Sequence, residues 1–259
     1  PQDVQAEAFD FPAQMFEKRV WTIPRYRPDV AVLQKAAEWI KASKKPVIIA
    51  GGGVIYSEAT EILKTLVEKT GLPVAETFAG KGSLKYNQPE NLGAVGVTGT
   101  PGANAITNEA DLVIGIGTRY SDFTTCSKTA FQNPNVKFIN INVAEFDAFK
   151  QAALPVVGDA KVTLEELFAL LDGYQVDSAY RERVANYNTE WDKVVTKTYN
   201  LGHGIPVSQG EVVGAVNDFA EPTDVVLCGA GILPVDLRIV WRTEDTRGFD
   251  LEYGFSAMG

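Results

Sequence analysis

The sequence predicts an α/β fold built on a doubly wound parallel sheet, and three observations predict it. Short continuous apolar runs recur at Pro46 to Ala50, Leu72 to Glu76, Leu112 to Gly117, Phe138 to Ile141 and Pro155 to Gly158. Strands buried on both faces of a parallel sheet read this way, without the alternation of a half-exposed strand. Helical patterns with a single apolar stripe separate several of these runs, as the crossovers of a parallel sheet require. Glycines also stand at the ends of two runs, at Gly51-Gly52-Gly53 and in Gly115-Ile116-Gly117, where such a sheet turns from strand into helix.

Taken in order, Ala6 to Pro28 is aromatic and punctuated by prolines without a period, the mark of an ordered connecting segment whose aromatics pack on neighbouring domains. Asp29 starts a helix with Val30, Leu33, Ala37 and Ile40 on one stripe and lysines crowding its end, where the helix dipole favours them. After the strand Pro46 to Ala50, Ser57 is expected to cap a second helix, with Ile62, Leu63, Leu66 and Val67 as its stripe and Gly71 as its stop. The run from Pro155 leads to a helix carrying Leu164, Leu167, Phe168 and Leu171. The central domain is therefore placed at residues 29–173 and a helical connector at 174–207. Ser208 to Phe219 reads as a further helix feeding the strand Asp224 to Leu227, which opens a second α/β domain over 208–259.

Composition narrows the function. The chain has 259 residues, more than the roughly 250 that a single core usually fills, so a boundary is expected. Apolar residues make up 45% and charged residues 22%, which fits a folded globular chain and argues against disorder. No apolar run nears the roughly 18 residues of a membrane-spanning helix, and the start does not read as a signal peptide. A net charge of −9 without a basic stripe argues against nucleic acid as a partner. Cys126 and Cys228 lie far apart and match no metal spacing, which suits a reducing compartment. Pro1 and the closing Ala257-Met258-Gly259 both read as cut ends.

Five stretches could carry chemistry. Gly51-Gly52-Gly53 could bring amides to a phosphate, with Glu76 spaced like a ribose-binding acid. The dinucleotide fingerprint needs one more glycine, however, and Val54, Ile55 and Tyr56 follow instead. Tight-turn packing is the favoured reading, with a nucleotide-binding or assembly module as the alternative. Arg119 and Asp122 could reach a ligand beyond the strand ends, but a local salt bridge between them is favoured. Gly158-Asp159-Ala160 with the distant Asn186 imitates a magnesium-diphosphate site; alanine in third place and the helix that follows make Asp159 an N-cap instead. His203, the only histidine, has no nucleophile beside it and reads as a loop residue. Gly229-Ala230-Gly231, after Val225-Val226-Leu227 and before a helix from Leu233 to Trp241, is the better phosphate candidate, because free amides there could face a diphosphate. Leu251 to Gly259 puts glycines around Met258, permitting close backbone approach beside a polarizable side chain.

Together these stretches resemble the acetolactate-synthase-like group of thiamine-diphosphate enzymes over nearly the whole chain. Pro1-Gln2-Asp3-Val4-Gln5 is similar to the close of that group's pyrimidine-binding domain, and Lys45 to Gly53 to the first strand and turn of its central domain. More particular are Gly117 to Thr125, Lys128 to Pro134, Asn140 to Lys150, Leu233 to Leu237 and Leu251 to Gly259. These resemble a hydrolytic branch, whereas synthases carry a histidine-glutamine pair near the position of Leu233. The resemblance assigns residues 1–28 to the end of the upstream domain and its connector. It implies thiamine diphosphate and Mg2+ as cofactors, held across the interface of a cytoplasmic homodimer or homotetramer. By the same resemblance, backbone groups of Ala230, Gly231, Ile232 and Leu233 lie near the diphosphate. Ser256 and Met258 meet the aminopyrimidine, with Met258 as the wedge that bends the cofactor. The activating glutamate is implied before Pro1 and the Gly-Asp-Gly metal motif after Gly259, so this chain is expected to be an inactive piece without catalytic residues. The implied substrate is a small cyclic dione of inositol catabolism, opened by carbon–carbon cleavage with the cofactor as electron sink. Some relatives hold a flavin in the central domain; no second arginine follows Arg119-Tyr120-Ser121-Asp122 here, and flavin is not among the cofactors expected.

Overall fold

The computed structural model describes residues 2–229 and 231–251. Six strands, β1 (Pro46–Ala50), β2 (Val74–Glu76), β3 (Asn91–Ala94), β4 (Leu112–Ile116), β5 (Lys137–Asn142) and β6 (Leu154–Val157), form one sheet in the order β3-β2-β1-β4-β5-β6. Every pairing is parallel. This is the doubly wound order, with the winding reversing between β1 and β4. Pro46–Ala50 and Leu112–Ile116 are buried along their whole length, as their unbroken apolar character requires.

Helices cover both faces. α1 (Gln2–Ala6) precedes the connecting segment and buries no residue. α8 (Ala160–Leu170) packs against both α2 (Val30–Ala42) and α4 (Thr60–Thr70), while α5 (Pro101–Glu109) and the first half of α9 (Ser178–Tyr199) pack together opposite them. α2 starts at Asp29, whose side chain accepts from the Val32 amide, and buries Leu33, Ala36, Ala37 and Ile40; Val30, expected on that stripe, is exposed. The glycine turn after β1 is itself helical, as α3 (Gly52–Tyr56), and this relocates Ser57. Its hydroxyl bonds back to the Gly53 carbonyl at 2.6 Å and ends α3, while α4 starts after Ala59 without a side-chain cap. Gly71 stops α4 in the left-handed conformation, at φ 70°. Two one-turn helices, α6 (Asp122–Thr125) and α7 (Glu145–Ala148), follow β4 and β5.

The chain then builds a second, smaller unit. α10 (Gln209–Phe219) begins with a capping box between Ser208 and Glu211. β7 (Val226–Cys228), α11 (Ile232–Val240) and β8 (Phe249–Leu251) form a βαβ unit with parallel strands. Its core joins Val213, Cys228, Leu237, Val240, Trp241 and Phe249 to Val195 and Tyr199 of α9, whereas Tyr180 and Val184 of the same helix belong to the larger core. One 22-residue helix thus spans both cores. Cys126 and Cys228 carry free thiols. The aromatics Phe9, Phe11, Phe16 and Trp21 of the connecting segment stay exposed. Among the described residues no helix is long and apolar enough to cross a membrane.

Arg183 fastens α9 to α5 by gripping Glu109 with both arms, at 2.7 and 2.5 Å, and Lys45 joins at 3.1 Å. The Arg183 hydrogen bonds hold the Glu109 carboxyl down to about 2, against an ordinary value of 4.5. A carboxyl held low contributes stability that is complete above pH 4.5 and is lost as pH falls toward 2. Both partners are partly exposed, so the effect is modest and screened by salt. We expect Glu109→Gln to lower the urea midpoint at pH 7, and its difference from wild type to shrink on acidification below pH 4.5; a difference that grows there would refute this account.

Candidate functional site

Where the winding reverses, the loops after β1 and β4 come into contact and define a crevice. A Cβ on Gly53 would stand 2.6 Å from the Gly117 Cα, and one on Gly51 within 2.7 Å of the Gly117 carbonyl carbon. Glycine is needed here for backbone-to-backbone contact. The Gly51 amide donates to the Ile116 carbonyl at 2.8 Å and the Gly53 amide to the Gly117 carbonyl at 3.1 Å. Neither amide is left for a phosphate. Glu76 is likewise committed: its carboxylate accepts from the amides of Gly82 and Leu84 at 3.2 and 3.1 Å. The glycine-rich turn and the acid, grouped by spacing, therefore serve separate internal contacts.

The crevice itself encloses about 650 Å³ and is lined by Gly52, Tyr56, Thr118, Arg119 and Asn142, with Phe249 to Leu251 on a further wall. Ligands of open α/β sheets bind at such a switch point. The expected Arg119 and Asp122 salt bridge does not form: Asp122 instead accepts from the Ser127 hydroxyl at 2.9 Å, and among the described residues Arg119 has no ion-pair partner. The chain turns between the two residues, with Tyr120 at φ 49°, its ring buried and its hydroxyl bonded to Asn140 at 2.9 Å. Arg119 is left exposed at the crevice. Asp159 is the N-cap of α8, accepting from Lys161 and Val162, and it also binds Arg25 at 3.1 Å. Asn186 and His203 are exposed. Among the described residues no group of His, Cys, Asp and Glu could hold a metal.

The second site lies at the start of α11. Gly231 is its N-cap at φ 124° and ψ −165°, a conformation open essentially to glycine, and among the described residues no side chain caps the helix. The first turn of a helix has amides without intrahelical partners. Pro234 lacks one such amide, which leaves those of Ile232 and Leu233. Ile232 is 79% and Leu233 45% exposed. A glycine-only turn leading into an uncapped first turn suits an anionic group, and it fits a diphosphate. Ala230, Ser256 and Met258, expected beside this group, lie outside the described residues.

Sequence reasoning missed the residues that hold α11. Arg238 is 2% exposed and reaches into the larger domain, bonding to the carbonyls of Glu76 and Val95. Lys81 reaches the other way, to the Trp241 carbonyl at 2.9 Å. Burial pulls the Lys81 ammonium down to about 8, opposed by the Glu76 charge, and burial pushes the Glu76 carboxyl up. The one available signal was a charged residue inside the apolar run Leu237-Arg238-Ile239-Val240. Nothing local marked Lys81.

A parallel sheet wound in this order, followed by a βαβ unit with a glycine turn before its helix, defines a doubly wound α/β protein. The family model of the thiamine pyrophosphate enzyme central domain matches residues 33–167, and the chain belongs to that family. It is 44% identical over its whole length to the 3D-(3,5/4)-trihydroxycyclohexane-1,2-dione hydrolase of Listeria monocytogenes serotype 4b (strain F2365). It is 43% identical to the protein of that name from Bacillus cereus (strain AH820), and 41% to that from Clostridium tetani (strain Massachusetts / E88). The chain spans 44% of the length of each of these relatives.

Proposed function

We propose that the complete protein is a thiamine-diphosphate-dependent hydrolase that opens the ring of 3D-(3,5/4)-trihydroxycyclohexane-1,2-dione by carbon–carbon cleavage in inositol catabolism. The observation that carries this reading is the 41–44% identity, over the whole chain, to relatives that bear that one name. The start of α11 supports it. When bound, thiamine diphosphate supplies a nucleophilic carbanion and an electron sink. The part of this chain is to offer the Ile232 and Leu233 amides to the diphosphate, beside Ala230 and Gly231, while Ser256 and Met258 hold the aminopyrimidine. Mg2+, a homodimeric or homotetrameric assembly and a cytoplasmic setting belong to the same proposal. So does the division into 1–28, 29–173, 174–207 and 208–259, with α9 fastening the central domain to the last.

The complete protein should open the dione only with thiamine diphosphate and Mg2+ present. This chain alone should bind the cofactor negligibly in calorimetry, because the resemblance assigns the metal ligands and activating glutamate to residues outside it. Turnover without the cofactor, or micromolar Mg2+-dependent binding by this chain, would contradict the assignment. A second reading, a nucleotide-binding module, is favoured by the volume of the crevice and by exposed Arg119 at its edge. Saturable binding of ADP in the same calorimetry, lost in Arg119→Ala, would support it.

A further inference from the structure

We propose that Arg238 is a positioning residue: it orients α11 so that the first-turn amides of Ile232 and Leu233 point at the diphosphate. This rests on the reading that the complete protein uses thiamine diphosphate. Arg238 lies on an apolar helix, yet it is the bulkiest of the fully buried side chains. Its guanidinium donates to the Glu76 carbonyl at 2.9 Å and the Val95 carbonyl at 2.8 Å, and to the Thr98 hydroxyl at 2.6 Å and carbonyl at 3.4 Å. It also lies 3.9 Å from the centre of the Phe78 ring. The acceptors stand at the ends of β2 and β3 and in the loop beyond, so the larger domain holds the cation in a socket of fixed directions.

Adhesion between the two units does not require this arrangement. A buried charge must recover its desolvation through hydrogen bonds, and an apolar side chain of similar volume would often stabilise the contact as well or better. Planar donors in a rigid fork add direction. At the far end of the helix, Lys81 binds the Trp241 carbonyl and Tyr199 the Val240 carbonyl, at 2.9 and 2.6 Å. Thus α11 is held in and just beyond its last turn, while among the described residues no side chain caps its first turn. Arg238 lies six residues past Ile232, about 9 Å along the axis. A swing of about 10° there moves the first-turn amides by about 1.5 Å, more than the roughly 0.5 Å that a preorganised site tolerates. A residue far from the cofactor can in this way control its binding.

The test uses the complete protein. Binding of thiamine diphosphate with Mg2+ is measured by calorimetry, thermal unfolding by scanning calorimetry, and amide exchange over residues 232–240 by mass spectrometry. Arg238→Met and Arg238→Lys should both weaken cofactor binding on the order of 10- to 100-fold, since a displacement of an ångström can cost this much. Lysine should not rescue, because an ammonium cannot reproduce the fork. Thr98→Val, which removes one acceptor from the opposite side of the socket, should act in the same direction, by about threefold, and should not add to the Arg238 variants. Leu63→Ala, in the distant α4 core, should lower the unfolding temperature while leaving the cofactor Kd within about twofold. Should Arg238→Met fail to fold, Arg238→Lys and Thr98→Val carry the same comparison. Cofactor binding unchanged in the Arg238 variants overturns the proposal. So does binding lost in Leu63→Ala as much as in an Arg238 variant of equal unfolding temperature, because Arg238 would then be merely structural. If the wild type binds no thiamine diphosphate, the function reading and the cofactor part of this proposal both fail. Amide exchange then still decides whether Arg238 holds α11, by rising over 232–240 or staying at the wild-type rate.

Discussion

Gly51→Ala should destabilise the chain by about 3 kcal/mol, at the upper end for an overpacked core, or leave no folded protein. Gly51 has an ordinary backbone, φ −105° and ψ 179°, so alanine meets no conformational penalty there. The cost is entirely contact: the new methyl group would lie within 2.7 Å of both the Gly117 carbonyl carbon and the Thr118 Cα, and neither is the end of a flexible side chain. Relief requires β1 and β4 to part at the switch point, which breaks the bond from the Gly51 amide to Ile116. Gly173→Ala is the contrasting control. Gly173 has a φ of 70° and nothing within 4 Å of a built Cβ, so only the backbone term applies, about 1 kcal/mol. Urea unfolding of both variants measures the difference. Equal midpoints would show that the two loops are not packed as described.

Gly231→Ala should have its largest effect on the complete enzyme's cofactor and little effect on the larger domain. None of the described residues lies within 4 Å of a Cβ at Gly231, so they leave the substitution unobstructed, but φ 124° with ψ −165° is a conformation that alanine avoids. Strain of about 1–3 kcal/mol would be relieved by turning the entry to α11, at the expense of amide direction. Affinity for thiamine diphosphate should fall on the order of tenfold or more, a factor of ten corresponding to about 1.4 kcal/mol. The unfolding midpoint of the larger core should hardly move, because Gly231 is not part of it. Unchanged affinity with a lowered midpoint would place the role of Gly231 in folding instead.

Some elements were hidden from sequence reasoning for identifiable reasons. β3 is only Asn91–Ala94, with a glycine and an asparagine among its four residues, so it has no apolar run to detect. α5 carries a start signal, Thr100 accepting from the Ala103 amide with proline next in line, yet its stripe of Ala103, Ile106 and Thr107 is weak. β8 is three residues long, too short to show a pattern of its own, and its one partner among the described strands is the equally short β7. Ser57 was misplaced because a serine between a turn and a helix is equally suited to end one or cap the next.

The sequence by itself determined five of the sheet's six strands, the helix starts at Asp29, Asp159 and Ser208 and the stop at Gly71, because each follows from burial or hydrogen bonding within a few residues. Family-like stretches also pointed to the glycine turn before α11, whose geometry is local. Tertiary structure alone decided where the side chains and amides of the site are spent. The Gly51 and Gly53 amides go to the β4 loop, Glu76 closes its own turn, and Arg119 stays free of Asp122. Arg238 finds its acceptors 140 to 162 residues away. Spacing and periodicity report only on neighbours along the chain, whereas a buried cation's partners are set by which strand ends the fold brings to it.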